Sequence, residues 1–295
     1  IVATPADFGA QGDKPSHPQL LDWLAGNWAS TVRSNSEPAP AAIQPWRLKS
    51  LHRLLLSSTA YRQTSRRESQ VEAVDPDNRL IGRMSVRRLE AETIRDAILA
   101  VSGALVDRPF GPPIIVSPDD VGMVTIGKDS RDSAGRPTDG SRSLGGEEFR
   151  RTIFVQVRRT LPLSILEMFD APVPAPNCEL RTSSTVAPQS LLLLNNEFLL
   201  DQSERCAKQI RAQVGDDVNA QARRAWQIAL GGEPSESALR RAAAFLVEQA
   251  QGYREQPPPP ADKGKAAAPV PDPAERALAN LCQGLISSNR FLYVE

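Results

Sequence analysis

The stretch "RRLEAETIRDAILAVSGAL", residues 87–105, carries the clearest periodic signal in the chain. Leu89, Ile94, Ile98 and Val101 fall on one face at helical spacing, and Gly103 closes the run as a C-terminal stop. A helix with such a stripe must lay it against neighbours, so the segments on either side decide the fold. Upstream, residues 16–28 repeat the pattern through Leu20, Leu21, Leu24 and Trp28, and residues 45–58 predict a second helix. Downstream of residue 185, helices are predicted near 186–197, 199–214, 218–230, 235–251 and 274–288. Between these lie two β-branched runs, "VGMVTIG" (121–127) and "RTIFVQVRR" (151–159). They predict a two-stranded ribbon flanking a polar, mobile loop over 128–148. Residues 256–272, within "QPPPPADKGKAAAPVPDP", are too rich in Pro and Ala to pack a core and predict a disordered loop. The fold class expected is mainly α: one multi-helix domain over 1–295, with a small two-stranded β ribbon and long irregular loops.

Composition narrows the function classes. Of 295 residues, 35 are Lys or Arg and 35 are Asp or Glu, so no global field recruits nucleic acid or an anionic membrane. The longest apolar runs, such as Leu191–Leu194, fall far short of the ~20 residues of a membrane span. Cys178, Cys206 and Cys282 are widely spaced, with no CxxC or CxxCH, which excludes a zinc ribbon and c-type haem attachment within this chain. Patterns of the GxSxG, HExxH, P-loop and GxGxxG kinds are absent. No cofactor and no metal site is expected. Trp23, Trp28, Trp46 and Trp226 sit in amphipathic helices and are assigned to the core. The opening "IVATPADFG", with no initial methionine, reads as part of a longer polypeptide.

Three groups of residues are candidates for function. In "GDKPSHPQLLDWLA" (12–25), Ser16, Pro18 and Gln19 have the spacing of a capping box, worth about 1 kcal/mol. The alternative makes His17 a general base or metal ligand held by Asp22 or Asp7; His52 is the only other imidazole. Along residues 87–96, Arg88, Glu92 and either Arg95 or Asp96 stand one turn apart. Buried together they could bind an anionic sugar or sulfate, whereas on a helix surface they form ordinary ion pairs. In "LEMFDAPVPAPNCELRTSSTVAPQ", Arg181 with Ser183, Ser184 and Thr185 precedes a helix start, a place that attracts anions. The competing reading is a loop and an N-cap. Lastly, "LLLLNNEFLL" and "LISSNRFLYV" share a helix end in Asn followed by Phe, which predicts a left-handed asparagine there.

Six ordered blocks carry a resemblance: "ATPADFGAQGDKPSHPQLLDWLA", "LHRLLLSSTAYRQTS", "DPDNRLIGRMSVRRLEAETIRDAILAVSG", "RRTIFVQVRR…LEMFDAP", "STVAPQSLLLLNNEFLL" and "LCQGLISSNRFLYVE". Together they resemble the C-terminal domain of unknown function of planctomycete-type, cytochrome-linked exported proteins. That resemblance implies an extracytoplasmic, periplasmic or cell-surface setting. It also implies upstream domains in the same polypeptide as partners, often including a cytochrome-c-like one. A non-catalytic binding or assembly module is the first expectation. Its rival is a hydrolase or lyase on anionic, sulfated polysaccharide, using His17 and Asp22 with nearby arginines. In an exported setting a Cys178–Cys282 disulfide becomes conceivable, with three unpaired buried thiols as the competing state.

Overall fold

In the computed structural model the chain divides into two units, Ile1–Arg87 and Arg88–Val294. The structure describes residues 1–5, 7, 9–29, 45–119, 121–127, 129–131, 137–142, 144–172, 181, 183–256 and 272–294. Residues 257–271, most of the Pro/Ala-rich segment, lie outside the described residues, as does Cys178.

The first unit holds three short helices, α1 (Pro18–Ala29), α2 (Leu48–Ser57) and α3 (Ser69–Val74). The first begins later than a Ser16 cap requires. His17 offers the first carbonyl, to Leu21 N–H, while the Ser16 hydroxyl turns to His17 Nδ1 (2.9 Å) and the Ile1 carbonyl (3.2 Å). The predicted Ser16–Gln19 capping box is therefore replaced by contacts on the N-terminal side. Beyond α3, the Asp75 carboxylate accepts from the N–H groups of Arg79 and Leu80, both at 2.8 Å. Asn78 Nδ2 donates to the Arg83 carbonyl at 2.7 Å, fixing the same turn. These are local devices, and none of the described residues 1–87 is buried. Two tryptophans assigned to the core are thus corrected: Trp46 is 69% exposed and Trp23 44%. Helices of 12, 10 and 6 residues supply too little interior to cover them.

The second unit has a core of its own. Helix α4 (Ala91–Val101) buries Ala91, Ile94, Ile98 and Leu99, with Leu89 and Val101 packed alongside. It starts later than its sequence period because residue 89 is committed elsewhere: Leu89 N–H donates to the Leu292 carbonyl at 2.7 Å. Its end is as predicted. Gly103 has φ +70°, and Ala104 N–H reaches back to the Leu99 carbonyl at 2.9 Å. A Cβ at Gly103 would meet Gln209 Oε1 at 2.7 Å, the movable end of a long side chain, so it is the positive φ that holds this position to glycine.

The β structure differs from expectation. Strand β1 (Val116–Pro118) pairs antiparallel with β2 (Val124–Ile126) in a hairpin. Within the stretch read as a loop over 128–148, β3 (Asp129–Arg131) pairs with β4 (Pro137–Arg142). The predicted strand 151–159 is corrected: Thr152–Phe154 form a 3-10 turn, and only Val155 bridges to Ile114. The reason lies in α4, whose Asp96 carboxylate takes both the N–H and the hydroxyl of Thr152, each at 2.6 Å, and bends the backbone there.

A short helix, α5 (Ser164–Met168), leads into α6 (Ala187–Asn195), α7 (Glu197–Val214), α8 (Val218–Leu230), α9 (Glu236–Glu255), α10 (Pro273–Ile286) and α11 (Asn289–Leu292). The helix-end asparagines are also corrected, since neither has a positive φ. Asn196 is extended (φ −74°, ψ 125°) and starts α7, and Asn289 is the first residue of α11. In both places the motif makes a sharp turn from one helix into the next. Helix α10 packs against α7, α8 and α9 through small residues, among them Ala207, Ala222, Ala225 and Ala277. This second cluster joins the α4 cluster through Val101 and Leu230, which pack against both.

Cys206 on α7 and Cys282 on α10 are free thiols inside that cluster, 2% and 1% exposed. Of the two states left open for Cys282, the structure has the free thiol and not the bridge to Cys178: Cys282 is unpaired and its thiol faces Cys206. The hydrogen bond with Cys206, together with burial, pushes the Cys282 thiol well above its ordinary value. Thiol titration should therefore find both groups silent in native protein and reactive once denaturant opens the bundle. Fast native labelling of Cys282 would contradict this packing.

Candidate functional site

The predicted anion-binding residues come together in two adjoining arrangements and one separate one, all within the second unit. Arg88, with its side chain 3% exposed, ends the extended entry to α4 and donates to the carbonyls of Ser184 and Phe169, the latter at 2.8 Å. It also donates to Asp170 Oδ2 at 2.8 Å. The same carboxylate accepts from the Ser184 N–H (2.8 Å) and hydroxyl (2.9 Å). The guanidinium lies 5.4 Å from the Phe169 ring centroid, and its buried Nε has no hydrogen-bond partner in the structure. Gln189, buried in the first turn of α6, donates to the Met168 carbonyl (3.1 Å) and the Ser184 carbonyl (3.2 Å). Its Oε1 accepts from Val186 N–H at 3.4 Å, so Gln189, and no serine, supplies the side-chain cap at this helix start. Ser183 is exposed.

Beside this knot, Arg181 grips Glu92 with both terminal nitrogens, at 2.7 and 3.1 Å, and lies 3.1 Å from Glu90. Burial is the largest influence and pushes the Glu92 carboxyl up, but the Arg181 hydrogen bonds, the Glu92 backbone N–H and the Arg181 charge together outweigh it, and the net shift is downward. Asp170 follows the same balance. Burial raises it, while the Ser184 N–H, Arg88 and the Ser184 hydroxyl together hold it below its ordinary value.

Arg95 belongs to a different arrangement, and its reading as a helix-surface charge is corrected: it is 1% exposed. It donates to the carbonyls of Arg150 (3.0 Å) and Glu148 (2.5 Å) and to Thr152 Oγ1 (3.1 Å). Burial lowers its guanidinium to about 10, with Asp96 pulling the other way, so it stays charged at neutral pH. Arg150, fully buried, was not singled out in the sequence. It donates to the carbonyls of Arg108, Phe110 and Pro112, pairs with Glu147 at 2.8 Å, and stacks 4.2 Å from the Phe154 centroid. Chemically, these arginines already spend most of their hydrogen bonds within their own chain, and Arg88, Arg150 and Arg181 are each paired with a carboxylate.

His17 and Asp22 belong to the first unit. His17 is half-buried with Nδ1 held by Ser16, and Asp22 is exposed on α1. Among the described residues no group of three or more His, Cys, Asp or Glu could hold a metal ion, and no helix is long and apolar enough to cross a membrane. The first unit also has a shallow cleft, wide open to solvent and about 540 Å³ in extent, that the sequence reading missed. Lys49, His52, Arg53, Leu56, Ser57 and Arg62 line it. The signal was available: residues 46–67 contain six Lys or Arg and no Asp or Glu, a local excess hidden by the neutral total.

Residues 1–246 match the sequence profile of PSD1, described as "Protein of unknown function (DUF1553)". The chain belongs to the PSD1 family. No curated protein and no solved structure matches it. In this PSD1 chain the matched span takes in the first unit and most of the second, including the cleft, the Arg88–Asp170–Ser184 knot and the Arg181–Glu92 pair. It ends inside α9, so α10, which packs on three neighbouring helices, lies beyond it.

Asp170→Asn tests whether the knot is structural. Removing the charge leaves the buried Arg88 guanidinium uncompensated, at an expected cost of roughly 2–3 kcal/mol. Because the folded carboxyl titrates below its unfolded value, its contribution is complete above about pH 4–5 and fades as pH falls through the lowered value. Urea unfolding followed from pH 7 to pH 3 should show that acid-sensitive component in the native chain and its loss in the variant. Equal stability of the two proteins at pH 7 would remove Asp170 from this role.

Proposed function

We propose that this PSD1 chain is a non-catalytic assembly module of an exported, cytochrome-linked multidomain protein, and that its first unit is the part that meets a partner. One observation carries the reading: no described residue of 1–87 is buried, while Trp46, Leu48 (60% exposed) and Leu56 (52% exposed) present apolar surface. Isolated apolar side chains on a surface are ordinary, but a unit whose described residues include none that is buried lacks, over those residues, the burial that usually offsets chain ordering. A partner that covers these side chains supplies it. The resemblance to planctomycete-type exported proteins supports upstream domains of the same polypeptide as that partner, in an extracytoplasmic setting.

The rival, a hydrolase or lyase on anionic polysaccharide, has less support. Its arginines and carboxylates in the second unit are paired with one another, and Ser184 is bound to Asp170. Amide exchange in the intact polypeptide, compared with residues 1–295 alone, separates the two readings. Assembly predicts added protection across 18–29 and 48–57 in the intact protein. Unchanged exchange in both helices, or turnover of a sulfated glycan by the chain alone, would overturn it.

A further inference from the structure

We infer that α2 and the turn after it form a docking surface for an acidic, amphipathic segment of a partner protein, an inference that rests on the assembly reading and names the chemistry of its contact. Lys49, His52 and Arg53 come from successive turns of α2, and Arg62 reaches the same cleft from beyond the helix end. Among the described residues no acid pairs with Lys49, Arg53 or Arg62, whereas elsewhere in the unit Arg67 has Glu72 at 2.6 Å. Leu56 lines the cleft, and Leu48 and Leu55 are exposed on the same helix. Cations beside an uncovered Leu56, with Leu48 and Leu55 exposed on the adjoining side of the same helix, fit a ligand carrying carboxylates beside an apolar stripe.

Other polyanions fit less well. A sulfated glycan or a nucleic acid answers the cations but leaves the leucines wet, and no Phe, Tyr or Trp lines the cleft for stacking. A lipid surface is planar, and it would cover one face of a unit whose exposed apolar residues are spread over α1, α2, α3 and the following turn, through Leu20, Trp23, Leu55, Val74 and Leu80. A protein can follow that spread.

The test uses the full chain and a synthetic helical peptide with Glu on one face and Leu on the other. Fluorescence anisotropy should show binding that weakens with added salt. Affinity should fall about tenfold or more in Lys49→Glu/Arg53→Glu, and comparably in Leu55→Ser/Leu56→Ser. All four residues are exposed, and circular dichroism checks that both variants stay folded. Loss in the charge variant alone, binding to heparin or to phosphatidylglycerol vesicles but not to the peptide, or no binding at all would each overturn the inference. Amide exchange on the intact polypeptide keeps the two readings apart. Protection of α2 with no peptide binding leaves assembly standing and removes this surface's chemistry. Peptide binding that depends on both residue pairs, with no protection in the intact protein, upholds the surface and removes the assembly partner.

Discussion

Much of the second unit hangs on buried guanidiniums that clamp the backbone. Between α4 and α6 the chain is mostly irregular, and irregular segments leave carbonyls with no partner from a ladder or a helix. Arg88, Arg95 and Arg150 take up seven of them, those of Phe169, Ser184, Glu148, Arg150, Arg108, Phe110 and Pro112. A planar fork with several donors suits this task better than an ammonium, because one side chain can reach two or three strands of chain at once. Burying the charge is costly, and each site offsets it differently: Asp170 beside Arg88, Glu147 beside Arg150, and for Arg95 mainly carbonyl dipoles with Asp96 at 4.0 Å. Aromatic faces at Phe169, Phe154 and Phe198 complete the three pockets.

The same clamps explain which parts of the fold were legible in the sequence. Helical periodicity depends only on spacing along one segment, so α4 and α6 to α10 could be read with boundaries a few residues off. The segment 151–159 could not. Its β-branched pattern is real, but Asp96 and Arg95 lie more than fifty positions away and impose a 3-10 turn through Thr152. Arg95 shows the same limit from the other side. An Arg four positions from Leu99 looks like a surface charge until the 147–152 segment folds over it. Asn196 and Asn289 carried a correct signal, a change of helix, with the wrong geometry attached.

For the candidate site, the sequence singled out Arg88, Glu92, Arg181 and Ser184 in two separate groups and indicated neither which of them would meet nor that they would satisfy one another. Arg88 and Ser184 are 96 positions apart and share Asp170. Arg181 finds Glu92 over 89 positions. A cluster of opposite charges in sequence gives no information on whether its members leave a donor free for a ligand. Here the available hydrogen bonds are largely spent inside the chain. The cleft on α2 was overlooked for a related reason. Net charge is a sum, and a neutral sum hides six cations over residues 46–67 that are followed at once by Glu68, Glu72, Asp75 and Asp77.

The two units therefore stand in different energetic positions. In the second, Ile94, Ile98, Leu99, Leu278 and Ile286 are fully buried, and each such side chain removed from water contributes about 1.5–3 kcal/mol. That interior can offset the ordering of its own loops. In the first, order comes from local hydrogen bonds, such as those of Asp75 and Asn78, and from the Trp28–Trp46 edge contact at 6.1 Å. Such contacts hold a turn but do not supply a cooperative core. Burial added from outside acts on the first unit with little to compete against, because its exposed leucines and tryptophans have few intramolecular contacts to give up.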